Sequence, residues 1–225
     1  MMKKRTLTLF ITGGSLVALF AILIVLLKTV DVAAVGPNGS EVGFSSLNKS
    51  FSDLVGQNEI WQDVTGYLGY CLIGVAAAFA LLAVVQAVRR KSIRAVDRDL
   101  LLLVGFDLII VALYLLFDLV AVNYRPVLEN GELAASFPST HTMIALFVAA
   151  TASYQAKRRL RPAAAAWIFG CCVSAIAAVT VVGRVLSGVH WLTDIIGGIL
   201  VSLGVSVLYF ACCSLMKDKA EKTDA

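Results

Sequence analysis

The chain has 225 residues, of which 59% are hydrophobic and 15% charged. Soluble domains average about 45–50% apolar and about 25% charged, so a disordered chain, a coiled coil and an ordinary cytosolic enzyme are excluded, and lipid is the expected solvent. The net charge of +4 is small and sits in short loops, which is a signal of membrane topology and gives no support to a nucleic-acid partner.

A crossing helix needs about 20 largely apolar residues. Six segments are predicted to cross, over residues 7–30, 66–88, 100–122, 139–155, 163–182 and 190–216. The fold expected is therefore all-α, a six-transmembrane-helix bundle forming one domain over 1–225. The first segment follows Lys3, Lys4 and Arg5, and Val32-Ala33-Ala34 resembles a cleavage site. Its apolar core of about 22 residues is too long for a signal peptide, so an anchor helix is expected. The polar stretch 31–63 turns at Gly36-Pro37-Asn38-Gly39. Its later part, with Phe51, Leu54, Val55, Ile60 and Trp61, reads either as an interfacial amphipathic segment or as a loop resting on the bilayer.

Fifteen of the 19 Lys and Arg residues fall on one side of this layout, and Lys28, Lys49, Arg125 and Arg184 on the other. Both termini are then cytoplasmic, and loops 31–63, 123–138 and 183–189 face outward. The protein is expected in the plasma membrane. Cys71, Cys171, Cys172, Cys212 and Cys213 lie in apolar runs and read as buried hydrophobes without metal spacing. Asp107, in the middle of the third segment, reads as polar glue between helices.

The only two histidines, His141 and His190, begin the fourth and sixth segments at the outer face, where Arg125 and Arg184 also lie. Singly, each has an ordinary structural reading as a cap, belt or snorkelling residue; together they gather two imidazoles and two guanidiniums at one depth. Asp194 stands four residues after His190, where a carboxylate can fix the imidazole tautomer and leave the other nitrogen as nucleophile. Arg125 and Arg184 suit phosphate oxygens. Ser139 and Thr140 open a helix whose free N–H groups favour an anion, and His141 is placed as a general acid. No carboxylate cluster for Mg²⁺ or Zn²⁺ accompanies them, so the site expected is a phosphate site with no metal and no cofactor.

These residues resemble the type 2 phosphatidic acid phosphatase superfamily. Arg125-Pro126, Pro138-Ser139-Thr140-His141, and Arg184 with His190 and Asp194 follow its motifs Lys-x6-Arg-Pro, Pro-Ser-x-His and Ser-Arg-x5-His-x3-Asp. The likeness covers about 118–194, and the run 183–198 is similar to the bacterial integral-membrane branch. It implies that His190 forms a phosphohistidine, Asp194 orients it, and His141 protonates the leaving group and then activates water. Arg125, Arg184, Ser139 and the N–H groups near Thr140 would hold the phosphoryl oxygens. The implied activity is metal-independent hydrolysis of a lipid phosphomonoester or pyrophosphate at the outer face, the partners being that lipid and the bilayer. Undecaprenyl pyrophosphate leads, with phosphatidic acid, diacylglycerol pyrophosphate and phosphatidylglycerophosphate open. The alternatives are a lipid phosphotransferase using the same histidine and a non-catalytic phospholipid-binding or transport protein.

Two positions depart from the motifs. Gly183 replaces the serine before the arginine, a lost hydroxyl worth about 0.5–1.5 kcal/mol. Asp118 replaces the lysine seven residues before Arg125. Two helical turns would put Asp118 on the face of Arg125, and it is expected to orient that arginine.

Overall fold

In lipid, backbone N–H and C=O groups find partners only inside a closed structure, so long apolar runs fold as helices. The computed structural model describes residues 2–223, and of 220–223 the backbone alone, so the side chain of Lys222 lies outside the described residues. Those residues form seven α-helices: α1 (Lys4–Thr29), α2 (Ser45–Val55), α3 (Glu59–Arg89), α4 (Arg98–Leu119), α5 (Thr140–Arg159), α6 (Ala163–Leu186) and α7 (Leu192–Thr223). Five are long and apolar enough to cross a membrane: α1, α3, α4, α6 and the Leu192–Lys219 part of α7.

The helix at the predicted fourth crossing, α5, is not among the five. Its ends are polar, with Thr140-His141-Thr142 at one and Lys157-Arg158-Arg159 at the other. It lies inside the bundle, packed most closely on α6 and α7 and also against α3 and α4. Half of its 20 residues are buried, so neighbouring helices, in place of lipid, cover it. A 20-residue helix rises about 30 Å, the thickness of a bilayer core.

The other large difference is where α3 starts. It begins at Glu59, before the expected residue 66, with the Asn58 side chain accepting from the Trp61 N–H at 3.2 Å. Its polar opening turns hide it from a search for apolar runs. Within 31–63 a helix forms, α2 over Ser45–Val55, which carries Phe51, Leu54 and Val55, while Ile60 and Trp61 lie in the first turn of α3. Leu47 and Leu54 are exposed on α2, and Leu54 is 83% so. Its other side is pinned by the buried Asn48, whose amide donates to the Thr193 hydroxyl at 2.9 Å while its oxygen accepts the Thr193 N–H at 3.2 Å. That bond fixes the start of α7.

The chain ends of the bundle coincide. The Thr6 hydroxyl donates to Asp218 at 2.8 Å, joining the start of α1 to the end of α7. At the opposite end, Phe137, just ahead of α5, stacks on Phe20 of α1 and meets Phe117 of α4 edge-on, a buried aromatic floor. The cysteines depart from expectation. Only Cys213 is buried, while Cys71, Cys171 and Cys172 lie exposed on the apolar surface of the bundle. Asp107 is half-buried and its Oδ2 has no hydrogen-bond partner among the described residues.

Candidate active site

The site forms where the 123–138 connection, the starts of α3, α5 and α7 and the end of α6 converge. The connection folds back on itself through Arg125 N–H to Ala134 O (3.0 Å) and Ser136 N–H to Asn123 O (3.0 Å). The Trp191 indole N–H donates to Tyr124 O at 2.7 Å, and Trp191 is fully buried. This ties the strap carrying Arg125 to the residue beside His190.

His190 sits in the Ser187–Trp191 connection, ahead of α7 and not on it. The expected pairing survives this shift, with Nδ1 3.4 Å from Asp194 Oδ2. Asp194 is placed by the helix start itself. As third residue of α7, its Oδ2 accepts the Trp191 N–H at 2.8 Å, half of a capping box. The same oxygen accepts the Ser136 hydroxyl, and the Asp194 carbonyl accepts the Ser139 N–H at 3.0 Å. On the other side of the ring, the Arg184 guanidinium donates to His190 Nε2 at 3.0 Å. Arginine is always a donor, so Nε2 carries the lone pair and Nδ1 the proton facing Asp194. Burial, then the charges of Arg184 and Arg125, hold this imidazole well below its usual pKa, so it is neutral.

His141, Arg125 and Arg184 line one cavity of about 340 Å³ together with Gln62, Asp63, Tyr67 and Glu129. The four predicted outer-face residues that gather here are thus His141, Arg125, Arg184 and, through Arg184, His190. Ser139 stands just ahead of α5 with its side chain fully buried and no capping bond to the helix; its Oγ accepts the Thr142 hydroxyl at 3.1 Å. Thr140, half-buried, opens the helix beside His141. Pro126 follows Arg125 in the strap, half-buried. Among the described residues, nine buried side-chain atoms lack a hydrogen-bond partner, and five belong to this site: Asn123 Nδ2, His141 Nδ1, Arg184 Nε, His190 Nδ1 and Asp194 Oδ1. Buried polar atoms are ordinarily satisfied; His190 Nδ1 faces Asp194 at 3.4 Å, while His141 and Arg184 line the cavity. No group of three or more His, Cys, Asp or Glu suited to a metal forms among the described residues.

The expected role of Asp118 does not hold. α4 ends at Leu119, six residues short of Arg125, so the helical phase that would join them is lost. Asp118 is exposed, and Arg125 pairs with Glu129 at 3.1 Å. Asp118→Ala is expected to change kcat/KM less than twofold in a phosphate-release assay, whereas a tenfold effect would restore its orienting role.

Gly183 has a structural cause. A Cβ there would stand 2.5 Å from Thr65 Cγ2 and 2.8 Å from the Trp61 ring. Both residues come from the hidden first turns of α3. The Thr65 hydroxyl accepts from Arg184 at 3.3 Å while donating to Trp61 O at 2.7 Å. α3 thus occupies the place of a serine side chain and supplies Arg184 with a hydroxyl of its own. Nothing in the sequence signals Thr65 or Glu129, and Trp61 reads there only as part of a segment at the bilayer surface; Ser136 stands in the same short run as Ser139 and His141 but carries no motif. Gly188 is equally constrained. Its φ is +68° and a Cβ would meet Gly56 O at 1.7 Å, where the α2–α3 link crosses the His190 connection.

Residues 118–216 match the PAP2 superfamily. No curated protein matches the chain. Among solved structures, it is similar to the transmembrane PAP2 type phosphatidylglycerolphosphate phosphatase from Bacillus subtilis, with a TM-score of 0.59, 22% identity, and coverage of 94% of this chain and 96% of that one. The matched stretch, somewhat less than half of the chain, holds every motif residue named above, and the fold is similar to that of a transmembrane PAP2 type phosphatase.

Proposed function

We propose that the protein is a lipid phosphatase that hydrolyses a phosphomonoester or pyrophosphate through a phosphohistidine on His190. The observation that carries this is the alignment Arg184–His190–Asp194, with a neutral imidazole whose free lone pair lies on Nε2. The incoming phosphoryl oxygens compete for the Arg184 donors and release Nε2. The Nε2–P bond forms as the P–O bond to the lipid breaks, and protonated His141 gives its proton to the leaving oxygen. The Nδ1 proton stays toward Asp194, which offsets the charge developing on the ring. Deprotonated His141 then takes a proton from water, whose oxygen attacks phosphorus and returns His190 to its neutral form. Arg125, Arg184 and the N-terminal N–H groups of α5 hold the three phosphoryl oxygens. Side chains supply the nucleophile, the acid and the countercharge, so the step is written without a metal.

The topology read from charge belongs to this proposal. α5 is the sixth crossing, both termini are cytoplasmic, and the site opens outward at headgroup level. Undecaprenyl pyrophosphate remains the leading substrate on resemblance. The solved phosphatase similar to this chain acts on phosphatidylglycerolphosphate, which puts that lipid beside phosphatidic acid in the test.

The experiment is phosphate release by the detergent-purified chain in EDTA, with the three lipids offered in parallel. Release abolished by His190→Ala is expected, and the relative rates name the lipid. A folded, lipid-binding protein that releases nothing would overturn hydrolysis. Glu129 gives a smaller prediction. Its partly exposed ion pair with Arg125 is of the class worth about 0.2–1 kcal/mol, and substrate phosphate must compete with it. Glu129→Gln is expected to lower KM by up to about fivefold with kcat unchanged, and an unchanged KM would show that the pair does not oppose binding.

A further inference from the structure

A second cavity, of about 430 Å³, lies at the other end of the bundle, between the first turn of α4, the last two turns of α5 and the later part of α7. Arg98, Arg158, Arg159 and Lys217 surround it, and Tyr154 and Met216 supply apolar wall. His141 and Arg158 stand in the first and last turns of one helix, about 26 Å apart at 1.5 Å per residue. With His141 at one headgroup level, this cavity lies at the other.

Its two acids, Asp97 and Asp99, are already engaged. Asp99 Oδ2 accepts from Arg158 Nε at 2.8 Å and from Arg159 at 3.0 Å. Asp97 accepts from Arg90 at 2.9 Å, from Gln86 at 3.0 Å and from Arg159 at 3.4 Å. The carboxylates therefore hold three guanidiniums in place, those of Arg158 and Arg159 lining the cavity, without using all their donors. Arg159 Nε is buried with no partner among the described residues. Arg158 lies over the Tyr154 ring at 5.7 Å, and Lys217 over the same ring at 6.0 Å. Neither Arg98 nor Lys217 takes part in an ion pair among the described residues. Four cations against two carboxylates leave a surplus of two positive charges, beside an apolar wall, at the membrane surface.

We propose that this cavity binds the phosphate headgroup of an anionic phospholipid from the leaflet opposite the His190 site. Basic pockets between membrane helices are suited to such headgroups. The charge surplus selects a net-negative headgroup over a zwitterionic one, whose amine would meet the same cations. Tyr154 and Met216 favour a lipid over a soluble phosphate. The site is independent of the proposed hydrolysis, because it lies a helix length from His190 and is read by binding alone.

The test is native mass spectrometry of the full chain in detergent with phosphatidylglycerol, phosphatidylcholine or glycerol 3-phosphate. One phosphatidylglycerol should be retained selectively by the parent and by His190→Ala. The double variant Arg98→Gln with Lys217→Gln removes two exposed charges and should bind about 30-fold more weakly, with an unchanged melting temperature as the folding control. Equal retention of phosphatidylcholine, retention unaffected by the double variant, or no retained phosphatidylglycerol would each overturn the proposal. Displacement of the lipid by millimolar glycerol 3-phosphate would reassign the cavity to soluble phosphates and overturn it as well.

Discussion

His190→Ala is expected to lower phosphate release by on the order of 10⁴-fold or more, because it removes the atom that would take the phosphoryl group. The structure makes this more specific than loss of activity. Arg184 now donates to His190 Nε2 at 3.0 Å. Deleting the ring frees that donor for substrate, so lipid phosphate affinity should stay within a few-fold of the parent or rise. Asp194→Asn should behave differently. The acid does not touch the reacting phosphorus; it faces Nδ1 and is held by Ser136 and the Trp191 N–H. A neutral amide there can hold either tautomer and no longer offsets a positive ring, so a loss of about 10²–10⁴-fold is expected in kcat. Rapid-quench labelling with ³²P-lipid separates the two: acid-labile protein label absent in His190→Ala and slow to form in Asp194→Asn. Label persisting in His190→Ala would move the nucleophile elsewhere, and tenfold weaker lipid binding by that variant would mean that the imidazole serves chiefly to position Arg184.

Which parts of this site were legible in the sequence follows from how each residue is held. His141, Arg184, His190 and Asp194 announce themselves because an ionisable group beside an apolar run is costly without a use. The partners that tune them do not. Glu129 meets Arg125 only because the 123–138 connection folds back on itself, and no helical period reaches across such a turn. The pairing expected of Asp118 assumed that α4 continued to Arg125, but it stops at Leu119. Thr65 and Trp61 belong to α3 turns that also carry Glu59, Gln62 and Asp63, and a hydropathy window counts such a segment as loop. The span expected at 139–155 is met by a helix, α5, though one less apolar than the other five. Its polar ends are tolerable because the bundle surrounds it, and burial by protein leaves no hydropathy trace. The first turns of α3 and the start of α5 both line the cavity of His141 and Arg184, so composition is least informative where polar side chains are gathered for chemistry.

The hidden turns of α3 also determine what restoring the motif serine would do. By pattern alone, Gly183→Ser should help, adding back a hydroxyl beside the phosphate. The packing gives the opposite sign. The new Cβ would press on Thr65 Cγ2 at 2.5 Å and the Trp61 ring at 2.8 Å, and neither is the free end of a flexible chain. Overpacking of this kind costs about 1–3 kcal/mol. It falls on Thr65, whose hydroxyl is bonded to Arg184, so part of the cost is delivered as displacement of the guanidinium proposed to hold phosphate. Gly183→Ser is expected to reduce kcat/KM at least tenfold and to lower the melting temperature by several degrees. Thr65→Ser removes the clashing methyl and keeps the hydroxyl. Combined with Gly183→Ser it should recover most of the lost activity, a coupling read from the double-mutant cycle. Thr65→Val keeps the volume and removes the acceptor, so it should weaken kcat/KM about five- to tenfold without the stability loss of a clash. If Gly183→Ser alone raised activity threefold or more, α3 would not be standing in for the serine, and Thr65 would be packing only.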